Sequence, residues 1–239
     1  MTVREIAAHR DAPTPQRAFV ALFDVLGFRE RLRRQPLRVV LDDYRRLQLA
    51  KTESGAISVF TGRELQHWNV GTTVFSDTIL LWADDDWEAA QSLISACAHL
   101  LAAATDMGMP LRGGVAYGEC ALDRVSRTFV GQPIVDAYLT EQAQNWVGAA
   151  LHPSVTGHVS LGTSIRKLEE VLAYPVPVKR GSAPLEYAIH WCPYSHQGLQ
   201  QINSLARDAG SCSVRRKYAA TRRYCRRACE GYAVLGDLQ

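Results

Sequence analysis

The stretch ALFDVLGFRE, residues 21–30, decides the fold. An apolar run ends in one acid, Asp24, and the chain resumes with Val25 and Leu26 before Gly27. With the residues before it, AFVALFD (18–24) reads as a buried strand from its apolar run and aromatic content. A charge at the end of such a strand is costly unless something cationic meets it. Farther on, TVFSDTILLW (73–82) repeats the pattern with Asp77 in the tight connection between two strands. Two acids placed in this way point to a metal site.

Working outward, RERLRRQPLRVVLDDYRRLQLA (29–50) predicts helix, interrupted or restarted near Pro36. Val39, Val40, Asp43, Tyr44 and Leu47 fall at helical spacing. ISVF (57–60), LQHWNVGTTVF (65–75) and TILLWA (78–83) read as strands. The clearest helix is DDDWEAAQSLISACAHLLAAATDMG (84–108), opened by acids, striped with Leu93, Ile94, Cys97, Leu100, Leu101 and Ala104, and closed by Gly108. LRGGVAYGE (111–119) follows as a strand, then PIVDAYLTEQAQNW (133–146) as a helix with Pro133 in its first turn. VGAALH (147–152) predicts a strand, TSIRKLEEVLA (163–173) a short helix capped by Thr163, and LEYAIHW (185–191) a late strand. From about Ser195 the pattern is two helices split at DAGSCS. The order predicts an α+β sheet of the split βαβ kind with helices on one face. The chain divides into an arm (1–17), a catalytic domain (18–194) and a C-terminal helical extension (195–239).

Composition narrows the function. The chain has 239 residues, 47% of them hydrophobic, enough for one large domain or two small ones. Residues 1–18 carry no apolar core of a secretory signal, and no run approaches the roughly 20 apolar residues of a membrane span. Six scattered cysteines without a CxxC pair, and seven dispersed histidines without HxxxH, argue against zinc and a disulfide framework and for reduced thiols in a cytoplasmic protein. The net charge of +3 does not demand nucleic acid. RRKYAATRRYCRR (215–227) concentrates the excess and reads either as a phosphate-gripping, base-stacking surface or as a helix with tyrosines inward and arginines in water; the second reading is preferred.

The chemistry of the two acids is that of oxygen donors. Brought together, they suit Mg²⁺ or Mn²⁺, which also take substrate phosphates. The carbonyl of Val25 offers a further ligand, and Gly27 and Phe28 turn the chain into a helix whose first amides face phosphate. The plainer alternative is that each acid alone caps a turn or faces water.

FVALFDVLGF with VFSDTILLW resembles the two metal-binding segments of class III nucleotidyl cyclases. LRGGVAYGE is similar to that family's Arg-x-Gly-x-x-x-Gly strand, and FVGQPIVDAYLTEQAQNW to its next segment. The order FDxLGF, FSDxI, RGG and NWxG, over about residues 18–155, most resembles the pyrimidine cyclases of bacterial Pycsar antiphage systems. The resemblance implies a class III adenylate/guanylate cyclase-like, ferredoxin-like fold. It implies two Mn²⁺ or Mg²⁺ ions held by Asp24, Val25 and Asp77, and attack of a ribose 3′-hydroxyl on the α-phosphate with pyrophosphate leaving. It also implies a homodimer with sites at the subunit interface. The substrate would be UTP, or alternatively CTP, and the cyclic product would act on a separate cyclic-nucleotide-sensing effector. Laying Gly131 on the family glycine puts Val135 at a ribose-binding Asn and Leu139 at a transition-state Arg, and neither side chain does those jobs. The polar candidates nearby are Asp136, Tyr138, Asn145 and Arg112. Thr73 and Thr128 stand where adenylate cyclases carry a purine-reading Lys and acid, which argues against adenine. Arg112 reads as a phosphate-neutralising group or as half of a surface ion pair. Tyr138 and Trp146 read as stacking groups or as core and dimer contacts. The rivals are a purine cyclase, a diguanylate-cyclase-like enzyme, and a degenerate nucleotide- or RNA-binding module.

Overall fold

A computed structural model describes residues 15–57, 70–123 and 128–236. The sheet opens with β1 (Gln16–Val25), the hairpin β2 (Gly71–Phe75) and β3 (Thr78–Asp84), then β4 (Leu111–Asp123), β5 (Thr128–Gly131), β6 (Gly148–Leu151), β7 (Val171–Ala173) and β8 (Tyr187–Ile189). Its order is β2-β3-β1-β4-β6-β8-β7, with β5 paired to β4. β1 is central and antiparallel to both β3 and β4, whereas β4 and β6 run parallel.

The helices are α1 (Phe28–Arg34), α2 (Leu37–Ile57), α3 (Trp87–Asp106), α4 (Gln132–Ala143), the single turns α5 (Pro153–Thr156) and α6 (Gly162–Ile165), α7 (Gly198–Asp208) and α8 (Cys212–Gly236). The break at Pro36 is where the sequence placed it. α3 is capped by Asp86, whose side chain accepts from the Ala89 N–H at 2.8 Å, and it ends against Gly108 at φ 68°.

Alternation along β1 sorts its side chains. Phe19, Ala21, Phe23 and Val25 face the larger core, which they share with Leu93, Ile94, Cys97 and Leu101 of α3. Val20 and Leu22 face the other side and pack with Leu80, Trp82, Ala116 and Ala137 of α4. Among the described residues the main helical layer therefore covers one face, and α4 crosses the other. Close approach of α4 depends on Gly114: a Cβ there would lie 2.3 Å from the Ala137 carbonyl oxygen. The C-terminal helices close the larger core through Ile202, Tyr218, Tyr224 and Cys225. Tyr224 donates to the Ile189 carbonyl at 2.8 Å and meets the Trp146 ring edge-on at 4.7 Å.

Two expectations are corrected. The helix over 163–173 shrinks to the single turn α6; its N-cap position is Leu161, not Thr163. Val171–Ala173 instead pairs with β8, and an available sheet edge outweighs local helix preference. Of the expected strands before the hairpin, Ile57 closes α2, and residues 58–69 lie outside the described residues. β5 was not foreseen. Cys97, Cys120, Cys192, Cys212 and Cys225 form no disulfide with one another. No helix among the described residues is long and apolar enough to cross a membrane.

Candidate metal and nucleotide site

β1 runs between β3 and β4, so the end of β1 meets the β2–β3 turn. Asp24 sits opposite Thr78, the residue after Asp77, and the Val25 N–H donates to the Asp77 carbonyl at 3.0 Å. The turn is Ser76–Asp77, with Ser76 held at φ 56°. Two acids 53 positions apart in sequence thus share one strand end. Their carboxyl groups are near enough to act on one another. Burial, and next the neighbouring Asp77 charge, push the Asp24 carboxyl above its usual range, while Arg112 and Lys217 pull it back. By register, Asp24 shares its face with Leu22, Leu80 and Thr73, the face crossed by α4.

A third group points to this place. Tyr44 of α2 has a buried hydroxyl without a hydrogen-bond partner among the described residues. Burial first, then the charges of Asp77 and Asp24, raise its pKa to about 12. Its ring meets Phe28, the first residue of α1, edge-on at 6.0 Å. Two neighbouring like charges beside an orphaned hydroxyl suit a hard divalent cation, which would relieve the repulsion and use oxygen donors throughout. Among the described residues no group of three or more His, Cys, Asp or Glu gathers, so solvent or substrate oxygens would complete the coordination.

Arg112 lies opposite Asp24 on β4, yet its guanidinium is committed elsewhere. It pairs with Glu141 of α4, whose side chain is 1% exposed against 6% for Arg112, and it donates to the Gln144 carbonyl at 3.2 Å. Gln144 in turn donates to the Gly113 carbonyl at 2.6 Å and accepts from the Trp146 indole at 2.7 Å. The partner acid is buried, not a surface group. Burial raises the Glu141 pKa, and Arg112 opposes that shift. Trp146 is fully buried core.

The remaining candidates do not all gather at this centre: Thr128 pairs with Asp123, at the end of β4 away from Arg112 and Asp24. Phe28 follows Gly27, which takes φ 79° to start α1. Thr73 lies on β2 and Thr128 on β5; Trp82 and Phe129, 5.1 Å apart between ring centroids, draw β5 back over the α4 face. Tyr138 is 49% exposed on α4 beside the exposed Val135 and Leu139. Asn145 anchors its N–H on the Pro177 carbonyl at 2.7 Å. Sequence reasoning missed Tyr44 as a site group and missed Lys217 of α8, whose charge reaches Asp24, Arg112, Glu141 and Lys179. Tyr44 was visible only as a helical-spacing position, and Lys217 only as one letter in a basic run.

No protein-family model matches the sequence, and no curated protein matches it. Solved structures do match. The catalytic core of a rhodopsin-guanylyl cyclase with converted specificity, in complex with ATPαS, superposes with a TM-score of 0.52 at 13% identity, over 74% of this chain and 96% of that one. The adenylyl cyclase CyaB from P. aeruginosa gives 0.47 at 16% identity, over 74% and 94%. The chain has the α+β fold of class III cyclase catalytic domains.

Proposed function

We propose that this protein is a pyrimidine nucleotide cyclase that converts UTP to 3′,5′-cyclic UMP and pyrophosphate, a second messenger in bacterial antiphage defence. The observation that carries the reading is the proximity of Asp24 and Asp77 at the end of β1 in a cyclase-type sheet. The sequence resemblance supports the base, the defence setting and a separate effector for the product. The short hydroxyls at Thr73 and Thr128 agree with a pyrimidine; CTP is the alternative substrate.

In this reading Asp24, Asp77 and the Val25 carbonyl hold two Mg²⁺ or Mn²⁺ ions. When bound, the ions acidify the ribose 3′-hydroxyl and neutralise the triphosphate. The 3′-oxygen bonds to the α-phosphorus, the bond from that phosphorus to the leaving pyrophosphate oxygen breaks, and the hydroxyl proton passes to solvent. The chain's own part is positioning and charge. The opening amides of α1, from Phe28 onward, face the phosphates. Arg112, held by Glu141, keeps a fixed positive charge beside Asp24. Tyr138 and Asn145 contact the base or ribose.

A homodimer fits the half-covered face. Phe75 is 83% exposed and Leu139 is 56% exposed, with Val135 and Tyr138 also exposed. Large exposed apolar groups of this kind mark an interface. A second copy set against this face would complete the site with its own side chains.

The second reading, a nucleotide- or RNA-binding module without chemistry, is favoured by one observation: the exposed α4 positions where the resemblance expects a ribose-binding Asn and a transition-state Arg carry the apolar Val135 and Leu139. One experiment separates the two. Purified protein is incubated with Mn²⁺ and each of ATP, GTP, CTP and UTP, and products are identified by mass spectrometry, with Asp24→Ala and Asp77→Ala in parallel. The expected result is one cyclic pyrimidine product, lost in both variants. A product that survives both substitutions overturns the two-aspartate site. No product from any nucleotide favours the binding module.

A further inference from the structure

A nucleotide triphosphate and two carboxylates together carry more negative charge than two divalent ions neutralise, so a cyclase site needs cationic side chains. α4, QPIVDAYLTEQA, holds no Lys or Arg. The guanidinium of Arg112 is already matched by Glu141. The missing charge falls to another element of the chain or to the second copy.

The fold brings α8 to this end of the sheet through a chain of neighbours. Asp24 pairs with Arg112 across β1 and β4, and Arg112 pairs with Gly148 across β4 and β6. Gly148 follows Val147, whose N–H donates to the Thr221 hydroxyl at 2.8 Å. Thr221 lies one helical turn after Lys217, with its hydroxyl 3.0 Å from the Lys217 carbonyl. Lys217 is half-buried there. No carboxylate among the described residues lies within ion-pair distance of its ammonium. Burial, and then Arg112 and Lys179, press against its charge, while Glu141 and Asp24 favour it. A half-buried cation that makes no ion pair among the described residues, with Asp24 and Glu141 among the charges that favour it, is placed for an anionic ligand.

We propose that Lys217 sets its ammonium against the triphosphate of the bound nucleotide and supplies, from the C-terminal helix, the phosphate-facing charge that α4 lacks. This rests on the nucleotide-site reading above and is independent of the base. It also separates Lys217 from the rest of the basic run, whose exposed members, such as Arg216, serve the surface.

The test compares wild type, Lys217→Met, Lys217→Arg and Arg216→Ala. The Met variant keeps the apolar stem and removes only the charge. Melting temperatures establish that each variant folds. Two readouts follow: steady-state turnover of the preferred nucleotide, and binding of inorganic tripolyphosphate by calorimetry, with Mn²⁺ and with EDTA. Lys217→Met is expected to lower kcat/KM by roughly 100-fold, the scale of losing one preorganised charge contact. It is also expected to weaken tripolyphosphate at least about tenfold. Lys217→Arg restores most of both, and Arg216→Ala changes neither. If wild type cyclises a nucleotide and Lys217→Met stays within about twofold in both readouts, the proposal is overturned and the cyclase reading stands. If wild type turns over nothing but Lys217→Met still weakens tripolyphosphate, the cyclase reading fails and the Lys217 site stands. Tripolyphosphate binding that is absent from wild type overturns the proposal.

Discussion

Asp24–Asp77 and Arg112–Glu141 lie side by side at one end of the same sheet, and they are opposites. The first is a pair of neighbouring like charges, with a strained turn beneath it and an orphaned tyrosine hydroxyl beside it. The second is a pair of unlike charges in a network where Gln144 and Trp146 also find partners. A satisfied buried pair holds a fold together; an unsatisfied one waits for a ligand. The difference teaches which of the two charged pairs carries chemistry; the sequence read Asp24 and Asp77 as a metal site and left Arg112 open between a phosphate-neutralising group and half of a surface ion pair.

The sharpest way to break the comparison is to delete one member of each pair. Asp77→Ala should abolish cyclase turnover, by about 1,000-fold or more if the carboxylate holds a catalytic ion, while leaving the melting temperature unchanged or raised. Glu141→Ala should do the reverse to stability. It strands a buried guanidinium and costs about 3–5 kcal/mol, read from a urea midpoint. The double change Arg112→Met with Glu141→Leu should recover most of that loss, because both charges leave together. If Glu141→Ala is as stable as wild type, the pair is not the structural clamp described above.

A smaller effect tests the sign of the charge balance. The folded-state pKa of Asp24 is raised above the ordinary 3.8. In the metal-free protein the folded state therefore binds a proton at a pH where the unfolded chain does not, and this contribution to stability falls as pH rises through that window. Asp24→Asn removes the titration. In EDTA, the stability advantage of Asp24→Asn over wild type should shrink as pH drops from 7 towards 4. His190 and His99 act in the opposite direction: burial lowers both pKa values, so their contribution is lost as pH falls below about 6.5. Taking the difference between the two proteins cancels the histidines. A gap that does not vary with pH would show that Asp24 titrates normally.

What the sequence made legible follows from range. β1, the Ser76–Asp77 turn and α3 are written in local periodicity, turn length and capping, and all three stand where the pattern put them. The meeting of Asp24 with Asp77 needed only the strand order of a split βαβ unit. Glu141 was invisible as a partner because it lies 29 residues from Arg112 on a helix with little amphipathic signal. Lys217 joins the site only after α8 has docked through Thr221, which no local pattern encodes. α6 misled for the converse reason: residues 163–173 favour helix locally, but Val171 and Leu172 gain more by pairing with β8.

The smallest effect asks whether the strain beneath Asp77 is used or merely tolerated. Ser76 occupies the left-handed region at φ 56°, where a side chain costs roughly 1 kcal/mol and glycine costs nothing. Ser76→Gly relieves that strain but gives the unfolded chain more freedom, so the net gain should be about 0.5 kcal/mol, or near 2 °C in a protein of this size. The Arg112 network, which has no such turn, offers no comparable gain. If the serine stiffens the hairpin so that Asp77 is presented to Asp24, the stabilised variant should also bind Mn²⁺ several-fold more weakly, because a freer turn must be ordered when the ion arrives. Calorimetry of Mn²⁺ binding beside a thermal melt reads both quantities on one sample. Tighter or equal Mn²⁺ binding in Ser76→Gly would mean that the turn geometry is a by-product of closing a two-residue hairpin. A gain in stability coupled to a loss of affinity would mean that the like-charge pair is held together by the backbone until a cation replaces that work.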